Sequence, residues 1–227
     1  MRKKFLVSLF TGLLILGIIG TAESDMFEGY TSGIFINPDT GINTGVGTSH
    51  FTTGEGIPTW LDFTGTTFTV NADTTFIFGQ LTYFNGSNYV GTTANSVDLD
   101  VTVNFTNPTG ITQDFLYHMT FYMTPNIGTP EENADYLFLP TIQPTTDFSF
   151  NGTNYTLAFV GFGTIDNNGF VTTIDQFHVY EGQSSSAYLL GQITEHQSQP
   201  VPEPATMFLF GIGLTGLVGV ELRKKKK

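Results

Sequence analysis

Apolar and polar residues alternate along several stretches of the chain. In residues 97–105 every second residue is apolar, and the residues between them are Asp, Thr or Asn. The same rhythm returns in residues 115–123 and 155–159. Successive side chains of a strand point to opposite faces, so this alternation predicts β-strands with one buried face. No apolar stripe with the 3.6-residue period of a helix occurs in residues 23–199, which favours an all-β domain.

Asn-Gly pairs separate some of these apolar stretches. Residues 84–89 (FNGSNY) and 150–155 (FNGTNY) are near copies, and residues 166–169 (DNNG) are a third candidate turn. Asn and Gly both tolerate positive φ, so we interpret the copies as independent hairpin turns rather than an internal repeat. About ten short strands without helices predict an antiparallel β-sandwich of jelly-roll type, with a closed barrel as the alternative.

The N-terminal residues have the three parts of a secretory signal. Arg2, Lys3 and Lys4 precede the apolar run 5–19, and small residues follow up to Ala22. A basic region, an apolar region and a small-residue cleavage site predict a signal peptide over residues 1–22, cut by signal peptidase at Ala22. An uncleaved N-terminal anchor is the alternative. The exported domain would then cover residues 23–194.

The C-terminal residues predict a membrane anchor. The alternation is lost in residues 195–200, which we interpret as a linker, and residues 205–220 carry no charge. This run is short for a membrane-spanning helix, which needs about 20 residues, but glycines are common in such helices. A block of basic residues follows and predicts a cytoplasmic stop signal. It consists of Arg223, Lys224, Lys225, Lys226 and Lys227.

Residues 201–227 contain three parts in order: Pro202, Glu203 and Pro204, then a glycine-interrupted apolar run that predicts a helix, then the basic block. Together these parts resemble the PEP-CTERM sorting signal of exported bacterial proteins. The resemblance implies sorting by an exosortase-type enzyme that recognises the Pro-Glu-Pro element. It also implies a place in the cell envelope, exopolysaccharide or biofilm matrix, with transient anchoring in the inner membrane.

Five short segments of the body follow one another in order: residues 27–29, 33–38, 45–48, 61–65 and 79–86. Their succession resembles the choice-of-anchor K domain of bacterial surface proteins. This resemblance implies no catalytic residues.

Charge and cysteine content exclude several functions. All 8 Lys and Arg residues lie in residues 2–4 and 223–227, whereas all but two of the 20 Asp and Glu residues precede residue 201. Nucleic-acid binding needs basic residues against the phosphates, so we predict no nucleic-acid partner. The chain has no cysteine, so it has no disulfide and no thiolate metal site. Its 22 Phe and 9 Tyr residues predict an aromatic core.

No catalytic motif is visible, and we predict no catalytic residues and no required cofactor. The four histidines (His50, His118, His178 and His196) lack metal-ligand spacing, and structural roles are expected for them. Several acidic residues lie in pairs and could simply be exposed to solvent. They also leave two other functions open, a carbohydrate-active hydrolase and a calcium-stabilised adhesin. These acids are Asp98, Asp100, Glu131, Glu132 and Asp135.

A non-catalytic carbohydrate-associated module is the function that the sequence favours. Sugars stack on exposed aromatic rings, and Trp60, Tyr83, Tyr89, Tyr122 and Tyr155 are the candidates. Four N-x-S/T sequences are interpreted as turn and strand residues rather than glycosylation sites. They begin at Asn85, Asn104, Asn151 and Asn154.

Overall fold

The structure, a computed structural model, describes residues 25–141, 144–165 and 171–196. These residues form fourteen β-strands, and none of them lies in a helix. Consequently no helix in the described ranges is long and apolar enough to cross a membrane. The strands are β1 (Met26–Ile36), β2 (Asn43–Thr44), β3 (His50–Thr53), β4 (Thr59–Gly65), β5 (Thr67–Asn71), β6 (Thr75–Phe84), β7 (Ser96–Asn107), β8 (Thr112–Tyr122), β9 (Asp135–Phe138), β10 (Thr145–Phe150), β11 (Thr153–Ile165), β12 (Val171–Ile174), β13 (Gln176–Val179) and β14 (Ser184–Glu195).

The strands form two curled antiparallel sheets, which confirms the all-β prediction. The first sheet has the order β13-β9-β8-β7-β1-β5, and the second has the order β10-β11-β14-β6-β4-β3-β2, with β12 paired to β11. Buried side chains from both sheets join one hydrophobic core. The jelly-roll type stays a prediction, since the structure establishes only two antiparallel sheets, in one of which β7, β8 and β9 are consecutive neighbours.

The alternating stretches are strands with one buried face, as predicted. In β7 the apolar residues from Val97 to Val103 are fully buried, while Asp100 and Thr102 between them are partly exposed. In β8 the buried residues again alternate with exposed ones. Burying one large apolar side chain stabilises a fold by roughly 1.5–3 kcal/mol relative to exposure. The alternation therefore determines which face of each strand packs on the core.

Phenylalanine and tyrosine rings fill much of the core. Phe27 packs edge-on against Tyr155 with ring centroids 4.9 Å apart, and Tyr117 lies 4.6 Å from Phe159. The first pair is edge-to-face and the second is tilted by 58°, and aromatic pairs of this kind add about 0.5–1.5 kcal/mol to the burial of their area. These contacts link strands of opposite sheets, since β1 and β8 belong to one sheet and β11 to the other.

The second Asn-Gly copy is a two-residue hairpin, as predicted. Asn151 and Gly152 have φ angles of 50° and 81°, and Phe150 of β10 pairs with Thr153 of β11. Positive φ at both turn residues is what a type I′ hairpin requires.

The first copy is not a hairpin, so that prediction is wrong. Strand β6 ends at Phe84 and pairs with β4 and β14, whereas the next strand, β7, lies in the other sheet. Asn85 is fully buried, and its Nδ2 donates to the Val179 carbonyl at 2.8 Å. Tertiary contacts here override the local turn preference. The third candidate, at residues 166–169, lies outside the described residues.

Several predicted segments cannot be compared with the structure. The signal peptide (1–22), the sorting signal (201–227) and residues 197–200 of the predicted linker lie outside the described residues. Strand β14 continues to Glu195, the first residue of that linker.

Candidate functional site

A cleft of about 370 Å³ lies between two segments that follow strands. Residues 86–95, after β6, form one wall, and residues 121–126, at the end of β8, form the other. Ligand pockets of proteins usually measure about 300–1,000 Å³, so this cleft is large enough for a small ligand. Tyr89, Tyr122 and Asp135 are among its lining residues.

Hydrogen bonds join the two walls of the cleft and fix the backbone of the first wall. The Phe121 amide donates to the Asn95 carbonyl at 2.8 Å, which joins the end of β8 to the other wall. The Tyr89 amide donates to the Glu55 carbonyl at 2.9 Å, and Thr92 Oγ1 donates to the Tyr89 carbonyl at 2.7 Å. Tyr89 is thus fixed at its backbone while its side chain stays exposed.

Asp135 is the acidic residue of the cleft. It is only 3% exposed, and its Oδ1 accepts hydrogen bonds from Thr124 N at 2.6 Å and Thr124 Oγ1 at 2.9 Å. Burial raises the pKa of Asp135, the Thr124 hydrogen bonds oppose that change, and the charge of Glu181 adds to it. Burial and the charges of Asp135 and Glu181 also raise the pKa of Tyr83. The cleft therefore has a negative, poorly hydrated wall.

Three aromatic side chains form a row on the solvent face of the first sheet. Tyr122 of β8 lies opposite Tyr136 of β9, which lies opposite His178 of β13. The Tyr122 and Tyr136 ring centroids are 6.1 Å apart, and Tyr136 stacks on His178 at 4.2 Å with 6° between the ring planes. We call Tyr122, Tyr136 and His178 the aromatic row. Tyr122 belongs to both the row and the cleft, so the two surfaces are continuous.

Two neighbouring aromatic residues widen this surface. Phe138 stacks on Tyr136, with centroids 6.0 Å apart and 7° between the planes. Tyr180 lies 6.3 Å from His178, and its hydroxyl donates to Glu131. Both Phe138 and Tyr180 are exposed. Exposed apolar surface that is contiguous in this way commonly marks a binding site.

The five predicted stacking residues divide into three groups. Tyr83 and Tyr155 are buried in the core, so their assignment as sugar-stacking residues was wrong. Trp60 is partly exposed but lies on the second sheet, where it stacks on Phe84 at 5.2 Å. Tyr89 and Tyr122 are exposed and line the same cleft.

Sequence reasoning missed Tyr136 and assigned His178 a purely structural role. The available signal was a short period-two pattern, Tyr136-x-Phe138 and His178-x-Tyr180, with apolar residues at Leu137 and at 177 and 179. Strands β9 and β13 have only four residues each, so this pattern was too short to stand out.

Most of the acids predicted as pairs form hydrogen bonds with other residues of the protein. Asp98 Oδ1 lies 2.7 Å from His118 Nδ1, and Asp98 Oδ2 accepts from Asn37 Nδ2 at 3.0 Å. Glu132 accepts hydrogen bonds from the amide and the hydroxyl of Thr129 at 2.8 and 3.0 Å. Among the described residues, no three His, Asp or Glu side chains gather as a metal-ligand set. Calcium binding therefore gains no support from these acids.

The remaining histidines and the N-x-S/T asparagines make structural contacts. His50 Nδ1 lies 2.9 Å from Asp62, and His196 pairs with Asp147 at 3.7 Å. Asn104 accepts from Thr112 at 3.1 Å, and Asn154 accepts from Ser149 at 2.6 Å. Asn104 and Asn154 lie in strands and Asn151 in a hairpin, as predicted, whereas Asn85 is buried in a segment that is neither strand nor turn.

Comparison with known proteins confirms the resemblance of the C-terminal residues. Residues 200–225 match the family model described as the PEP-CTERM protein-sorting motif. No curated protein matches this chain. The resemblance of the body to choice-of-anchor K domains stays a prediction. At residues 200–225 the chain therefore carries a PEP-CTERM sorting signal, which implies an exported, membrane-associated protein of the cell envelope that is sorted by an exosortase.

Proposed function

We propose that this protein is a non-catalytic component of the cell envelope or extracellular matrix that binds polysaccharide. The β domain would hold the glycan, and the two ends of the chain would deliver the domain to the outside. The observation that carries this proposal is the position of Tyr122, which joins the cleft to the aromatic row. An extended ligand can therefore occupy both surfaces at once.

The chemistry of this surface suits sugar rings. The C–H faces of a sugar pack on aromatic rings, and neighbouring strands lie about 4.8 Å apart, so the three residues of the row lie side by side. Tyr136 and His178 stack on each other, whereas the Tyr122 ring is turned 61° from the Tyr136 ring and is exposed to a ligand. Asn126 lines the cleft and is exposed, so its amide group can serve sugar hydroxyls. An aromatic row beside a polar cleft supports binding of one polysaccharide chain along the sheet.

Within the part of the chain that the structure describes, the cleft has too few carboxyl groups for glycoside hydrolysis, which favours polysaccharide binding without cleavage. Glycoside hydrolysis ordinarily uses two carboxyl groups, about 5–9.5 Å apart, on either side of the scissile bond. Among the described lining residues, only Asp135 carries a carboxyl group. Asp98, Asp100, Glu131 and Glu132 lie elsewhere on the domain and do not supply the second one.

The proposed route of delivery uses both ends of the chain. Signal peptidase would cut at Ala22, and residues 205–220 would lodge as a single transmembrane helix in the inner membrane. The basic block 223–227 would stay in the cytoplasm, and an exosortase would act at the Pro-Glu-Pro element. The folded domain would then reach the envelope or the exopolysaccharide matrix of a biofilm.

A binding experiment with matched tyrosine variants tests the proposed function. The full chain, purified in detergent, is sedimented with insoluble polysaccharides, and the bound fraction is measured for wild type, Tyr122→Ala and Tyr30→Ala. Tyr30 is a suitable control because it is 48% exposed, against 57% for Tyr122, and lies on β1 of the same sheet. Removing an aromatic residue that stacks on a nucleic-acid base costs about 1–3 kcal/mol, and we expect a comparable loss for a sugar ring that packs on Tyr122.

We expect Tyr122→Ala to weaken binding about tenfold or more and Tyr30→Ala to bind like wild type. Equal binding by the two variants would contradict the assignment of the site. Release of reducing ends from the polysaccharide by the wild-type protein would favour the hydrolase alternative instead.

A further inference from the structure

The charge of the exported domain restricts which polysaccharides it can bind. Residues 5–222 contain no Lys or Arg, whereas all 20 acidic residues lie there. A surface of one sign attracts ligands of the opposite sign and repels ligands of its own sign. Polysaccharides rich in uronate, sulfate or phosphate are therefore disfavoured, and neutral or cationic ones remain.

The cleft concentrates this negative charge at one carboxylate. Both hydrogen bonds that Asp135 accepts are made to Oδ1, and both come from Thr124. Among the described residues of the cleft there is no Lys, Arg or His to neutralise the carboxylate. Glu181, which accepts a hydrogen bond from Ser87 Oγ, adds a second negative charge close to Asp135. A buried carboxylate without a cation is costly, so a cationic group placed against it would be stabilised.

The aromatic walls of the cleft favour the same kind of ligand. Tyr89 and Tyr122 are 66% and 57% exposed, and both line the cleft that contains Asp135. A cation near the face of a tyrosine ring gains about 0.5–1 kcal/mol at exposed sites and more when it is desolvated. Because both tyrosines border the cleft that contains Asp135, an amine-bearing sugar held in the cleft would lie between exposed aromatic rings and a carboxylate.

We infer that the cleft prefers polysaccharides with free primary amines, such as polymers of non-acetylated amino sugars, whose ammonium group is placed against Asp135. This inference rests on the proposed function, because it names the ligand class of the same site. Asp135 supplies the charge, whereas Tyr89 and Tyr122 supply stacking that any sugar can use. Neutral sugars then bind through the tyrosines alone, and amine-bearing sugars bind through both.

The test compares ligands that differ only in the amine. Glucosamine oligomers, N-acetylglucosamine oligomers of the same length and oligogalacturonates are titrated calorimetrically into the full chain in detergent. The titrations are done at about pH 6, below the pKa of a primary amine. We expect wild type to bind the amine form at least tenfold more tightly than the acetylated form, and the uronates most weakly.

The matched variants are Asp135→Asn and Asp147→Asn. Each variant removes one negative charge. Asparagine at 135 keeps an oxygen acceptor for Thr124, and Asp147 is an exposed acid outside the cleft. We expect D135N to bind the two glucosamine-based ligands equally and D147N to keep the wild-type preference. Equal loss of preference in both variants would overturn the inference, because net charge alone would then explain it.

Failures of the inference and of the proposed function give different results. If wild type binds the acetylated and amine forms equally, the amine inference is wrong while the proposed function stands. If wild type binds none of the three ligands nor any insoluble polysaccharide, the proposed function is wrong. If D135N does not fold, as judged by circular dichroism, the wild-type comparison of amine with acetylated ligand still decides the inference.

Discussion

Asp39 fastens the loop after β1 to the start of β7. Its Oδ1 accepts hydrogen bonds from the amides of Asn95 at 2.9 Å and Ser96 at 3.0 Å, and its Oδ2 accepts from Asn95 Nδ2 at 3.1 Å. Burial acts to raise the pKa of Asp39, but these hydrogen bonds outweigh it and lower the pKa to about 2. Asn95 also lines the cleft, so the hydrogen bonds of Asp39 hold one wall of the cleft in place.

Asp39 should make stability depend on acidity. The pKa of an aspartate is about 3.9 in an unfolded chain, whereas that of Asp39 in the folded protein is about 2. The ionised Asp39 therefore stabilises the folded state above about pH 4. This contribution is lost as the pH falls from about 4 to about 2. In urea unfolding, Asp39→Asn should cost about 1 kcal/mol at neutral pH and should flatten the loss of stability in that window. Asp175→Asn, at an exposed acid, is the control. An unchanged acid dependence in D39N would contradict the role of Asp39.

Val101 and Thr102 test the alternation of β7 at adjacent positions. Val101 is fully buried, whereas Thr102 faces solvent and donates to Asp114 Oδ1 at 2.7 Å. Val101→Asp would bury an unpaired charge and should destabilise by more than about 3 kcal/mol. Thr102→Ser keeps the hydroxyl and should change stability by less than about 0.5 kcal/mol. Urea titrations would measure both, and similar values for the two variants would refute the assigned faces.

The burial of individual tyrosines could be predicted only in part. Tyr155 alternates in phase with Leu157 and Phe159, so the period-two pattern already placed it on the core face. Tyr122 is in phase with His118, which indicates the solvent face. Tyr89 lies outside any strand, so its exposure follows from how its loop packs on other segments, and no local pattern reveals that.

At the scale of elements, the two Asn-Gly copies differ because their surroundings differ. Gly152 has open space around it and a φ of 81°, whereas a Cβ on Gly86 would lie 2.2 Å from the Ile57 carbonyl oxygen. The second copy joins strands that pair with each other, so local sequence sufficed to predict it. The first copy follows a strand whose partners are β4 and β14, and that pairing depends on residues far away in sequence.

Alanine at the two glycines should therefore have different effects. Gly152→Ala should cost about 1–2 kcal/mol, because a residue with a Cβ is strained at positive φ. Gly86→Ala should cost more, because the backbone of Ile57 and Pro58 must move to admit the methyl group. Thermal unfolding of the two variants would measure the difference. A larger loss for G152A than for G86A would contradict the distinct roles of the copies.

At the scale of the whole molecule, the fold class followed from the sequence, whereas the aromatic row and the cleft did not. The fold class depends on periodicity, which each strand carries in its own residues. The aromatic row depends on the register between β8, β9 and β13, and β13 is far from the other two strands in sequence. Tyr122 and His178 share a surface only because Tyr136 lies between them. The sorting signal was recognisable because all of its parts are contiguous at residues 200–225.

The separation of charge along the chain predicts how the protein crosses a membrane. The basic residues at 2–4 and 223–227 favour the cytoplasmic side, and the acidic domain between them contains no Lys or Arg. With residues 205–220 in the membrane, the Pro-Glu-Pro element would lie at the outer surface, where the two prolines keep the backbone extended for an enzyme. Retention and processing would then depend on different residues of the tail.

Two variants separate retention from processing. Replacing residues 223–227 with glutamine should weaken retention of the unprocessed precursor in the inner membrane, because the stop signal loses its charge. Glu203→Ala leaves the apolar run and the basic block intact, so the precursor should stay in the membrane with its tail uncut. Immunoblots of membrane and envelope fractions would follow both variants, with Glu221→Ala, on the other side of the apolar run, as the matched control. If mass spectrometry of wild-type envelope material finds the residues after Pro204 still attached, the tail is a permanent anchor and the processing prediction is wrong.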